Sequence, residues 1–85
     1  MKDNSYIDVL VPTYRRPHLL KRMIDSIIHQ TYPYFHVYVY DDASNDETGD
    51  IVQKIMNQDT RVHYYCHKFN VGFIKNYITA QARVQ

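Results

Sequence analysis

Two hydrophobic periods alternate along the chain, and this alternation limits the possible folds more than any other feature. Residues Ile7 to Pro12 (Ile-Asp-Val-Leu-Val-Pro) form a short, nearly continuous apolar run rich in β-branched residues. Such a run predicts a strand buried on both faces, as in a parallel sheet, with Pro12 ending its ladder. From Pro17 the period changes. Leu20, Met23, Ile24, Ile27 and Ile28 recur at three- and four-residue spacing, which predicts an amphipathic helix with Pro17 in its first turn and a stop by Tyr32, ahead of Pro33. Phe35 to Tyr40 returns to β-branched and aromatic residues throughout and predicts a second strand.

The pattern then repeats. Ser44 and Glu47 match a capping box, so a second helix is expected to start near them, with Ile51, Val52, Ile55 and Met56 as its buried stripe. Val62 to Cys66 reads as a third strand and Asn70-Val71-Gly72 as a turn, after which Phe73, Ile74, Tyr77 and Ile78 resume helical spacing. The order βαβαβα with short connections is the signature of a parallel sheet wound with helices, joined by right-handed crossovers. The fold class is therefore α/β: a three-stranded parallel sheet in βαβαβα order with Rossmann-like winding.

Charge and cysteine content narrow the function. Ten Lys and Arg stand against nine Asp and Glu, a formal net charge of +1, which argues against a nucleic-acid partner or a polybasic membrane patch. The single cysteine, Cys66, cannot form an intrachain disulfide, so a reducing, cytoplasmic setting is expected. The opening residues do not read as a signal peptide or a membrane span. Cys66 itself is expected to be a small buried hydrophobe.

In open α/β sheets ligands bind beyond the carboxyl ends of the strands. Two segments occupy that position: Pro12-Thr13-Tyr14-Arg15-Arg16 and Asp41-Asp42-Ala43-Ser44. Together they offer an aromatic ring for a base, a hydroxyl, two guanidiniums for a diphosphate and two carboxylates for base or ribose donors. The competing reading keeps Asp41 and Asp42 as loop acids that favour the positive start of the second helix. A calcium loop over Asp42–Gln53 fails because Glu47 stands at the glycine position and Gln53 at the terminal glutamate position. A zinc set of His63, Cys66 and His67 fails because His63 and Cys66 fall on opposite faces of a strand and a fourth ligand is lacking. Tyr38, Tyr40, Tyr64 and Tyr65 read as sheet-packing residues rather than a platform for single-stranded nucleic acid.

Four blocks in order carry a family resemblance. They are Val11-Pro12-Thr13-Tyr14-Arg15-Arg16-Pro17 with Leu20, then Ser26-Ile27-Ile28 with Gln30-Thr31-Tyr32-Pro33, then Val39-Tyr40-Asp41-Asp42-Ala43-Ser44-Asn45-Asp46 with Thr48, and finally Arg61-Val62 with Asn70-Val71-Gly72. From Tyr6 to about Ile78 the chain resembles the start of a family 2 glycosyltransferase with the GT-A fold. The resemblance implies a nucleotide-sugar donor of the UDP type, with Pro12, Thr13 and Tyr14 beside the base, Asp42 in contact with it, Asp41 shaping the turn and Lys75 approaching the diphosphate. It implies sugar transfer to an acceptor hydroxyl, with inversion, in a parent enzyme that uses Mg²⁺ or Mn²⁺ and is cytoplasmic or membrane-associated.

On this reading residues 1–85 are the N-terminal part of one GT-A domain, cut before the family's Asp-x-Asp metal motif. They hold no catalytic residue and no metal ligand, and the chain alone is expected to be inactive. The alternative is a non-catalytic module that binds nucleotide or packs on a partner. The family strand order three, two, one, four would leave strand 7–11 at an open edge here, so self-association through it is expected.

Overall fold

The computed structural model describes residues 6–72, 75, 76, 78 and 79. Three parallel strands, β1 (Ile7–Thr13), β2 (Phe35–Asp41) and β3 (Val62–Cys66), form one sheet in the order β1-β2-β3. They alternate with α1 (Pro17–Ile28) and α2 (Thr48–Gln58). Lys75, Asn76, Ile78 and Thr79 are helical, and the rest of the expected third helix lies outside the described residues.

The register explains the core. Val9 and Val11 pair with Val37 and Val39, and Val37 in turn with Val62. Strand residues alternate between faces, so Val11, Phe35, Val37, Val39 and Val62 point to one side. There they meet Leu20 and Ile24 of α1 and Val52 and Ile55 of α2. The opposite side carries His36, Tyr38, His63 and Tyr65, with Tyr65 stacked on the buried Tyr40 at 5.0 Å between ring centroids.

Several expectations need correction. Pro12 does not end β1, because the ladder continues to Thr13 opposite Asp41. In a parallel ladder alternate residues bond to opposite sides, and Thr13 accepts from Asp42 N–H. Pro12, one residue earlier, therefore turns its missing donor to the open edge, where it costs nothing. Nor is β1 buried on both faces: on the face away from Val11, Asp8 is exposed and Leu10 and Pro12 are only half-buried. The helices cover one face, and only β2 pairs with β1 among the described residues. Met23 departs from the buried stripe and is 44% exposed.

The capping box does not form. α2 begins at Thr48, and its free N–H at Thr48 is taken by the Asp46 carboxylate at 2.9 Å. Ser44 is drawn elsewhere by left-handed turns at Ala43 (φ 60) and Asn45 (φ 54). Cys66 is exposed rather than buried, because β3 loses cover toward its C-terminal end.

Candidate nucleotide site

The C-terminal ends of β1 and β2 lie side by side, and each feeds a short loop into a helix. A cavity of about 480 Å³ opens beside them. Pro12, Thr13, Tyr14 and Asp42 line it, joined by Gly72 and the buried Asn76. Leu19, Leu20 and Met23 of α1 supply an apolar wall. Tyr14 is 41% exposed, so its ring stands free at the mouth, with the Arg15 guanidinium 5.2 Å from its centroid.

The resemblance sets Asp42 at the base and Asp41 in the turn, and in the structure Asp42 lines the cavity while Asp41 does not. Asp42 is 3% exposed. One carboxylate oxygen accepts the Val71 N–H at 2.6 Å and the other accepts the Gly72 N–H at 2.8 Å. The carboxylate thus clamps the 70–72 turn onto the end of β2. Gly72 can present its N–H this way because its φ of +89 is open to glycine. Each Asp42 oxygen keeps a second acceptor site, since a carboxylate offers about four in all.

Asp41 does not line the cavity. Its Oδ1 accepts the Ser44 N–H at 3.0 Å and the Ser44 hydroxyl at 2.5 Å. Its Oδ2 accepts the Tyr64 hydroxyl at 2.5 Å. Burial, and then this bond to Asp41, push the Tyr64 phenol well above its usual range. Ser44 Oγ in turn accepts the Arg15 N–H at 2.7 Å, where Arg15 holds a left-handed φ of 54.

Lys75 is exposed and stands outside the cavity lining. The residue that sequence reasoning missed is its neighbour. Asn76 is 1% exposed, donates to the Tyr40 carbonyl at 2.7 Å and accepts from His67 Nε2 at 2.9 Å. That tautomer of His67 follows from the acceptor it faces. A polar residue inside an apolar helical stripe was the available signal. Among the described residues no group of three or more His, Cys, Asp or Glu side chains is arranged to hold a metal ion. The acceptors of Asp41 and Asp42 are directed at protein N–H and O–H donors instead.

Comparison with known proteins bears on the family and the fold. The family model described as Glycosyl transferase family 2 matches residues 8–85. A GalNAc(5)-diNAcBac-PP-undecaprenol beta-1,3-glucosyltransferase of Campylobacter jejuni is 36% identical over 62 residues, 73% of this chain and 20% of the relative. Glycosyltransferase GlyA of Streptococcus pneumoniae is 38% identical over 58 residues, 68% of this chain and 8% of the relative. The chain thus spans a fifth or less of the length of these curated relatives. Among solved structures, a mannosyltransferase of Pyrobaculum calidifontis in complex with GDP-Man and Mn²⁺ superposes with a TM-score of 0.83 at 26% identity. That match covers 93% of this chain and 24% of the neighbour, and it identifies the wound parallel sheet as GT-A-like. With its sheet, its loop order and nearly its whole length matched, the chain belongs to glycosyl transferase family 2.

Proposed function

We propose that this chain forms the nucleotide-sugar-binding part of a glycosyltransferase that moves a sugar from a UDP-type donor to an acceptor hydroxyl with inversion. The observation that carries the reading is the convergence of Tyr14 and Asp42, from loops on adjacent strands, at one cavity. Tyr14 supplies a ring on which a base stacks. The unused acceptor sites of Asp42 take a base N–H. Pro12 and Thr13 form the floor between them, and Thr13 offers a hydroxyl to the ribose. Lys75, exposed on the helical segment anchored by Asn76, is assigned to the diphosphate as a long, flexible cation.

The solved neighbour binds GDP-Man with Mn²⁺, which supports a nucleotide-sugar partner and a divalent metal, Mg²⁺ or Mn²⁺, in the whole enzyme. Such a metal neutralises charge on the leaving diphosphate. This segment is assigned to binding and orienting the nucleotide. We assign residues 1–85 to the N-terminal part of a single GT-A domain, with the parent enzyme at the cytoplasmic side. The open edge of β1 is assigned to self-association.

Titration with UDP and with GDP, followed by amide chemical shifts, tests the reading. Shifts confined to the Pro12–Tyr14 and Asp42 regions are expected, with UDP the tighter ligand. Absence of shifts there at millimolar concentrations of both would refute a nucleotide site. Tighter binding of GDP would refute the UDP assignment.

A further inference from the structure

Ser44 is a buried hydroxyl that the nucleotide reading leaves unused, and it is 1% exposed. It does not cap α2, since Asp46 accepts the Thr48 N–H and hydroxyl. Instead it joins three elements. Tyr64 of β3 donates to Asp41, Ser44 donates to the other oxygen of Asp41, and Ser44 Oγ accepts from the backbone N–H of Arg15 in the β1–α1 loop. A hydroxyl can donate and accept at once, which no carboxylate or backbone group at this place could do. The flanking left-handed residues Ala43 and Asn45 turn this hydroxyl inward, at a backbone cost that only the surrounding bonds sustain.

We infer that Ser44 is a positioning residue for nucleotide binding: through the Arg15 N–H it fixes the Thr13–Tyr14 segment against the Asp42 side of the cavity. The inference rests on the nucleotide reading above. Arg15 directly follows Tyr14, and its left-handed conformation (φ 54) sets the direction in which the chain leaves the stacking ring. Among the described residues the Ser44 hydroxyl is the acceptor that holds the Arg15 N–H in this conformation. Tyr14, already 41% exposed, would then sample orientations that do not meet the base, and binding would be lost in proportion to the time spent there.

The test compares the full 85-residue chain with Ser44→Ala and Tyr64→Phe, reading amide hydrogen exchange and UDP affinity. Ser44→Ala is expected to speed exchange at Arg15 about tenfold and weaken UDP by a similar factor, the scale of one lost hydrogen bond. Exchange at Val71 and Gly72 should stay as in the parent, because Asp42 holds them independently. Tyr64→Phe should move Arg15 exchange and UDP affinity in the same direction by about threefold, since only the outer bond is lost. UDP affinity within twofold of the parent in Ser44→Ala overturns the inference, and so does weaker binding with Arg15 exchange unchanged. Should Ser44→Ala fail to fold, unchanged exchange and affinity in Tyr64→Phe overturn it instead. If the parent chain binds neither UDP nor GDP, the nucleotide reading falls, and Arg15 exchange alone then decides whether Ser44 fixes the loop.

Discussion

Asparagine at position 42 should harm this chain far more than asparagine at position 41, although the two aspartates are adjacent, buried and equally changed. Asp42 is 3% exposed and spends one oxygen on each of two backbone N–H groups, at 2.6 Å and 2.8 Å. Asparagine can keep one of these bonds through its carbonyl oxygen. Its NH₂ must then face the other N–H, and two donors cannot pair. The loss of a charge-assisted bond, about 1.5–3 kcal/mol, overlaps with the cost of a buried donor left unsatisfied, about 1–3 kcal/mol. A combined loss of roughly 2–4 kcal/mol is expected for Asp42→Asn. At Asp41 the outcome differs because one partner is a hydroxyl. The asparagine carbonyl would take over Oδ1, which accepts both bonds from Ser44. The NH₂ would face the Tyr64 oxygen, which can turn from donor to acceptor. Only charge assistance is lost, so about 1 kcal/mol is expected for Asp41→Asn. Urea unfolding gives the two stabilities, and amide exchange locates the Asp42→Asn effect at Val71 and Gly72, where it should be at least tenfold faster. Asp42→Asn within 0.5 kcal/mol of the parent (roughly the scatter expected of a neutral surface change), with unchanged exchange at both amides, would refute the clamp.

Other measurements bear on other parts of the molecule. Burial, followed by the neighbouring His36, lowers the His63 pKa below 6.5, so the folded state resists protonation. Stability should therefore hold above about pH 6.5 and decline as the pH falls through the lower folded value, and His63→Gln should flatten that decline in urea midpoints taken between pH 8 and pH 5. Ile24 is fully buried in the core, and Ile24→Ala should cost about 2–5 kcal/mol in chemical denaturation; a loss under 1 kcal/mol would argue against the packing of α1 on the sheet. Asp46→Ala should cost about 1 kcal/mol by removing the acceptor at the start of α2, whereas Glu47→Ala, at the position of the failed capping box, should stay within 0.5 kcal/mol in the same urea assay. The open side of β1 carries the backbone groups of Asp8 and Leu10, and Leu10→Lys should shift sedimentation toward monomer; a parent chain that is already monomeric at high concentration would refute association through this edge.

Much of the architecture was legible before any coordinates. The apolar periods at 7–12, 35–40 and 62–66 placed all three strands within a residue of where they lie, and the stripes from Leu20 and from Ile51 placed both helices. These signals are local: a side chain's face follows from its position in a 2.0- or 3.6-residue repeat, and burial of that face follows from the hydrophobic effect. Where the local signal met a competing long-range bond, it failed. Ser44 and Glu47 fitted a helix start, but Asp41 and the Arg15 N–H claimed the serine first.

The candidate site divides in the same way. Sequence alone determined that Pro12–Tyr14 and Asp41–Asp42 follow adjacent parallel strands, because strand order and the rule for ligand position require nothing else. The residue pattern by itself left Asp41 and Asp42 equivalent, and only the family resemblance set Asp42 toward the base; nothing in the sequence showed that Asn76 is buried or that Ser44 links the two loops. Those facts rest on bonds between residues 29 to 36 positions apart, Arg15 to Ser44, Asp42 to Gly72 and Asn76 to Tyr40. Such bonds depend on strand register and on left-handed turns at Arg15, Ala43 and Asn45. A periodic pattern reports which face of an element avoids water; the partner of each buried polar atom is chosen only when the elements have docked, since directional bonds are satisfied at close range or not at all.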